Sequence, residues 1–209
     1  MRKMLEGLRK IKIKDYLIFI IYFSLIAIAC IALDQASKYI AVANLEEGTV
    51  SSFIPNFIDW FLTYNKGAAW GLGGNQIFSR ILLVSISWIV ALFIPGYVVF
   101  QMSKGTRFKV LFGVCLALIW GGDIGNLVDR TFFFERGVID FISIQSWWPG
   151  FGIFNLADSF LVVGIFALVI YFIIEEIQHQ IAEKKKNEEA LKQEKEEKNK
   201  EKEAENNEE

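Results

Sequence analysis

Histidine, cysteine and proline are nearly missing: one, two and three residues respectively in a chain of 209. The single histidine, His179, follows the last apolar run with no second histidine or cysteine near it, so a zinc site has no ligand set. No HExxH, GxSxG or CxxC sequence occurs, and neither cysteine has an imidazole partner. Cys30 and Cys115 lie inside apolar runs and read as small packing residues. Zinc chemistry, serine and cysteine nucleophiles and a disulfide framework are thereby set aside.

What is abundant is apolar surface. Hydrophobic residues make up 53% of the chain although the last thirty positions are almost wholly polar, so the apolar content is concentrated before residue 178. It falls in runs long enough to cross a bilayer. The reading is an all-α membrane protein with four transmembrane helices, at about 16–38, 77–102, 110–130 and 156–177. Residues 1–15 form a basic start. The apolar stretch after them exceeds a signal-peptide core and has no small-x-small cleavage site, so it is expected to stay as the first span. Pro95 is expected to bend the second. Residues 179–209 are Lys, Glu, Asn and Ala with almost nothing to bury, which suggests a solvated, flexible tail.

Two segments between spans break the helical pattern. Thr49–Tyr64 mixes β-branched and aromatic residues around Pro55 and reads as short strands, followed by a turn of small residues, Asn65-Lys66-Gly67-Ala68-Ala69-Trp70-Gly71. Residues 131–155 read as a second loop whose paired Trp147 and Trp148 suit a membrane interface. The basic N-terminus and the basic connection at 103–109 share one side, cytoplasmic by the positive-inside rule, and four spans return the C-terminus there. Asp34, Asn65, Asn126, Asp129, Arg130, Asp140, Asn155 and Asp158 then gather at one depth near the outer surface.

Carboxylates at such a boundary are costly to desolvate and need a partner or a task. Asp140 and Asp158, if they converge in a half-dry site, would not both ionise; one would keep a proton while the other acts as a base. Asp34 and Lys38 are spaced as an i, i+4 pair, which by spacing alone is an ordinary helix-end ion pair. Asn126, Asp129 and Arg130 would share a helix face at i, i+3 and i+4, and Asn155 and Asp158 at i, i+3. From pattern alone an ion-relay carrier stands ahead of a hydrolase, because intramembrane aspartates more often line a transport path than cut peptides. A carrier predicts carboxylates spread through the membrane depth, and mid-helix in spans two and four there are none.

Five motifs in order, Asp34-Gln35-x-Ser37-Lys38, Asn65-x-Gly67-Ala68-Ala69, Gly125-Asn126-Leu127-x-Asp129-Arg130, Val138-x-Asp140-Phe141 and Phe154-Asn155-x-Ala157-Asp158, resemble those of lipoprotein signal peptidase, the bacterial type II signal peptidase. The resemblance covers roughly residues 16–178. It implies a catalytic pair at Asp140 and Asp158, with supporting or substrate-contacting roles for Asp34, Lys38, Asn65, Gly67, Asn126, Asp129, Arg130, Asn155 and Ala157. It also implies a small extracytoplasmic β-cradle at 45–65, a bacterial inner-membrane location, and no metal or organic cofactor. The partners implied are a lipid-modified prolipoprotein and membrane lipids, with no nucleic acid and a monomeric state. Arg130 is expected to bond Asp129 or a substrate carbonyl. Asp123 departs from the family's pattern, standing where a small apolar residue is expected. The loop at 131–155 yields one test: replacing Trp147 and Trp148 with Ser is expected to raise KM for a membrane-held substrate, and unchanged kinetics would remove the anchoring role.

Overall fold

The computed structural model describes residues 13–67, 76–106 and 108–206. The basic start up to residue 12, the turn from Ala68 and the connecting Arg107 lie outside the described residues. Among the described residues four helices are long and apolar enough to cross a membrane: α1 (Ile13–Asn44), α2 (Gln76–Ser103), α3 (Val110–Phe132) and α4 (Leu156–Asn206). Three strands, β1 (Val50–Ile54), β2 (Ile58–Asn65) and β3 (Val138–Ser143), form one antiparallel sheet in that order.

Up to Leu168 the chain is one compact unit, and Val169 onward is a second. The second unit is helical through Asn206, with Gln180 bonded to Glu176 and His179 beside Glu183 one turn apart. The Glu- and Lys-rich composition has high helix propensity and offers such i, i+4 pairs.

In the first unit α3 is the hub. Its apolar window is the least hydrophobic of the four, at a mean hydropathy of 1.7, yet 61% of it is buried, against 17% for α1 and 22% for α2. Lipid tails give no hydrophobic reason for helices to associate, so close approach through small residues has to do it. At Gly122 a Cβ would fall 2.5 Å from the carbonyl oxygen of Ala157 and 2.9 Å from the amide of Leu161, so α3 and α4 touch backbone to backbone. On the α2 side the Trp120 indole donates to the Ala91 carbonyl at 2.9 Å. The outward faces of α1 and α2 remain covered in exposed Leu, Ile and Phe. Both cysteines are buried and free.

Two boundaries differ from the sequence reading. The first helix runs six residues past Lys38, because Ala41 packs under Leu62, Ile139 and Phe141 and so roots the sheet on the helix end. The second loop also contains a strand. Val138–Ser143 pairs with β2, Asn65 opposite Val138 and Thr63 opposite Asp140, so the two inter-span segments form one sheet. Asn56, at φ 60°, makes the turn between β1 and β2.

Gly122→Ala is expected to lower the melting temperature in detergent, since overpacking a closed contact costs about 1–3 kcal/mol. Gly96→Ala in α2, where a Cβ meets nothing within 4 Å, is expected to leave it unchanged or raise it slightly.

Candidate active site

The strand β3 is what brings Asp140 to the helices. Val138, Ile139, Asp140 and Phe141 are all buried, so this strand has no solvent face and its acid points into the protein. After the loop at 144–153 the chain returns to pair with it. Phe154 and Ile142 exchange backbone hydrogen bonds at 2.8 and 3.0 Å, and Phe141 also donates to Phe154. That bridge sets the next residue, Asn155, beside Asp140 at the start of α4.

Asn155 and Asp158 form a reciprocal helix cap. The Asp158 amide donates to Asn155 Oδ1 at 3.0 Å, and the Asn155 amide donates to Asp158 Oδ2 at 3.1 Å. Two of the helix's unpaired N–H groups are satisfied in this way. The Asn155 Nδ2 group donates to Asp140 Oδ1 at 2.7 Å and lies within bonding distance of Asn126 Oδ1 and the Ile139 carbonyl. Asn126 in turn donates to Asp158 Oδ1 at 2.8 Å, and Asn65 donates to Asp140 Oδ2 at 3.0 Å. Gly67 closes the arrangement by donating to Asn65 Oδ1. Each oxygen of both carboxylates therefore accepts a hydrogen bond. Asp140 is 2% exposed. Its burial, reinforced by the negative charge of Asp158, pushes its carboxyl up to about 7, against the opposing pull of the Asn65 and Asn155 hydrogen bonds.

Close approach at Gly137 makes the Asn65 contact possible. Its φ of +88° suits glycine, and a Cβ there would fall 2.5 Å from the Asn65 carbonyl oxygen.

Beneath the pair lies a buried ionic cluster. Lys38 Nζ lies 2.8 Å from Asp34 Oδ2 and 2.9 Å from Asp129 Oδ2 as ion pairs, and donates a hydrogen bond to Asn126 Oδ1 at 3.0 Å. Asp34 also accepts the Ala157 amide at 2.9 Å, which ties α1 to the first turn of α4. Arg136 reaches Asp129 from the far side at 3.1 Å, so two acids face two bases. The i, i+4 pair is thus no surface helix-end pair: Asp34 is fully buried and Lys38 is 1% exposed. A buried ion pair is stabilising only when its remaining donors and acceptors are met; Asp34 is met by Gln35 and the Ala157 amide, whereas Asp129 Oδ2 and Arg136 Nε have no hydrogen-bond partner among the described residues.

Arg130 departs from one of the two partners expected for it. It does not bond Asp129; its Nη1 donates to Ser87 Oγ on α2 at 3.2 Å. Asn126 and Asp129 face α1 while Arg130 turns toward α2, because positions 129 and 130 diverge by about 100° around a helix. The partner of Asp129 is Arg136, which the sequence reading left unassigned. Arg80 was also missed. It donates to the Lys66 carbonyl at 2.6 Å, lies near Glu135 at 3.6 Å and sits over the Phe134 ring, joining the segment after β2 to the turn before β3. No motif carries either arginine; both could be found only from the sheet that folds their loops together. Arg130 and Arg80 line one narrow pocket with Asn65, Gly67 and Gly137.

The family model described as signal peptidase (SPase) II matches residues 26–174. Lipoprotein signal peptidases of Listeria monocytogenes serotype 4a and Listeria innocua are each 37% identical over 158 residues, covering 74% of this chain and 95% of theirs. Among solved structures, two bacterial membrane enzymes determined by the in meso method superpose with TM-scores of 0.62 and 0.61 at 29% and 28% identity. They cover 74% and 72% of this chain, and 89% and 92% of their own. With all five motifs inside the matched region, the chain belongs to the signal peptidase II family.

Proposed function

We propose that this protein is an aspartyl endopeptidase of the bacterial cytoplasmic membrane that removes the signal peptide from diacylglyceryl-modified prolipoproteins, cutting before the lipidated cysteine. Membership of the signal peptidase II family makes it a peptidase. The observation that supports the aspartyl reading is the pair Asp140 and Asp158, held side by side by one residue, Asn155. Both termini are assigned to the cytoplasmic side and the pair to the outer leaflet, as the distribution of basic residues suggests. Lipid tails left in the bilayer would then bring the bond next to the modified cysteine to the depth of the pair.

In this proposal Asp158 works as the base. It sits in the first turn of α4, where backbone N–H groups favour an anion. Asp140, raised to about 7, keeps the proton. Asp158 takes a proton from water as the water oxygen attacks the scissile carbonyl, and Asp140 protonates the carbonyl oxygen to give a gem-diol. Collapse breaks the C–N bond. Asp158 passes its proton to the leaving amine, and Asp140 recovers one from the diol hydroxyl. Asn65, Asn126 and Asn155 fix both carboxylates, while Asp34, Lys38, Asp129 and Ala157 hold the helix ends that carry them. Arg130 and Gly67 line the pocket in which the substrate backbone would lie.

In cleavage of a lipidated prolipoprotein by purified protein in detergent, Asp140→Asn and Asp158→Asn are each expected to lower kcat/KM by at least about a hundredfold. Melting temperature serves as the check on folding. Normal cleavage by either variant would remove the aspartyl mechanism. For wild type the sign of the pH dependence follows from Asp140. Below about 7 its proton is present, and above it the one-proton form of the pair is lost, so kcat/KM is expected to fall as pH rises through about 7. A rate that climbs through that range would assign the acid elsewhere.

A further inference from the structure

The β2–β3 ladder ends at the pair Asn65 and Val138, and the ends of a ladder are where a sheet opens most readily. That last rung carries part of the candidate site, because the Asn65 amide donates to Asp140 Oδ2 at 3.0 Å. Past it the two chains part, one into Lys66 and Gly67, the other back through the turn from Phe133 to Gly137. Gly137 has no side chain to offer. Its amide donates within its own turn, to the Phe133 carbonyl at 2.9 Å.

The residue that spans the gap is Arg80, one turn into α2. Its Nε donates to the Lys66 carbonyl at 2.6 Å and its Nη1 to the Phe134 carbonyl at 3.4 Å. One guanidinium thus holds a backbone oxygen of each chain. Its rigid fork of donors suits two carbonyls on separate segments, as the single point of an ammonium does not. The Phe134 ring, with its centroid 5.5 Å from the guanidinium carbon, packs against the same group.

Two plainer roles fit less well. An arginine near the end of a span ordinarily stretches its head into water, yet the Arg80 side chain is only 13% exposed. An ion pair with Glu135 would be weak, since that acid is 92% exposed and 3.6 Å away.

We propose that Arg80 is a positioning residue for the catalytic pair: by tying Lys66 to Phe134 beyond the last rung of the ladder, it keeps Asn65 where its amide donates to Asp140. The proposal rests on the peptidase reading and adds to it a residue that acts through Asn65. With Asn65 displaced, Asp140 loses a donor that favours its charged form and so holds its proton to higher pH. Asp158 of α4 and Lys38 of α1, the charged groups acting on Asp140, stay in place. The fall in kcat/KM expected through about pH 7 therefore moves upward.

The test uses full-length protein in detergent with a lipidated prolipoprotein. Wild type is compared with Arg80→Met, Arg80→Lys, Asn65→Ala and Arg80→Met combined with Asn65→Ala. Arg80→Met is expected to lower kcat about tenfold with KM within about twofold, and to move the fall in kcat/KM up by about one pH unit. Arg80→Lys keeps the charge and one donor, so smaller changes in the same direction are expected. In the Asn65→Ala background Arg80→Met is expected to add less than about twofold. Amide hydrogen exchange on the same proteins, followed by mass spectrometry, reads the clamp without turnover. Segments 60–67 and 133–140 are expected to exchange faster in Arg80→Met than in wild type.

A wild-type kcat and pH profile in Arg80→Met overturns the proposal. So does a rise in KM that survives in the Asn65→Ala background, which would make Arg80 a substrate contact. Should Arg80→Met fail to fold, Arg80→Lys decides alone, since the fork is lost there too: a wild-type pH profile with wild-type exchange overturns the proposal. If wild type itself cleaves nothing, the peptidase reading falls and the positioning role with it. If wild type cleaves and Arg80→Met exchanges and cleaves like it, the clamp alone falls.

Discussion

One carboxamide, that of Asn155, has contacts on every side of the candidate site. It caps its own helix, donates to the acid on the sheet, lies against Asn126 of the neighbouring helix and reaches the backbone of β3. The physical demand behind this concentration is simple. Carboxylates removed from water need donors, and a membrane has none to lend. The donors come from β2 in Asn65, from α3 in Asn126 and from the start of α4 in Asn155. The fold can be described as the arrangement that brings these three amides to two acids.

The same demand shapes the bundle. The least apolar helix, α3, is the most buried because its polar residues would be intolerable toward lipid and find partners inward. Lys38 links it to α1, and small residues let it lie against α4. Polar bonds concentrate at the sheet end and close packing continues below it. Charge satisfaction thus fixes which faces meet, and backbone proximity fixes how closely.

The amino-acid sequence showed the spans and the strand-like character of the stretch before Asn65, since each rests on a local pattern. The motif set located both acids. It did not show that Asp140 stands on a strand. Val138–Ser143 is short, and its partner lies more than seventy residues earlier, so the segment passed for loop although Val, Ile and Phe are good strand residues. Arg136 and Arg80 went unassigned for a related reason. Their roles depend on loops meeting across the sheet, which no local window contains. Of the two partners expected for Arg130, Asp129 is not the one it bonds, because a shared helix face is a broad sector and two residues within it can face different neighbours.

The two acids stand on different kinds of element, Asp140 on a strand and Asp158 in a helix, joined through the Phe154 bridge and Asn155. This split has a consequence for biogenesis. Helices can enter the bilayer one after another as the chain is made, whereas the sheet closes only when its third strand finds the second. A nascent polypeptide with its helices in place but its sheet still open holds the acids apart. The juxtaposition of the carboxylates therefore requires the closed sheet as well as the packed helices.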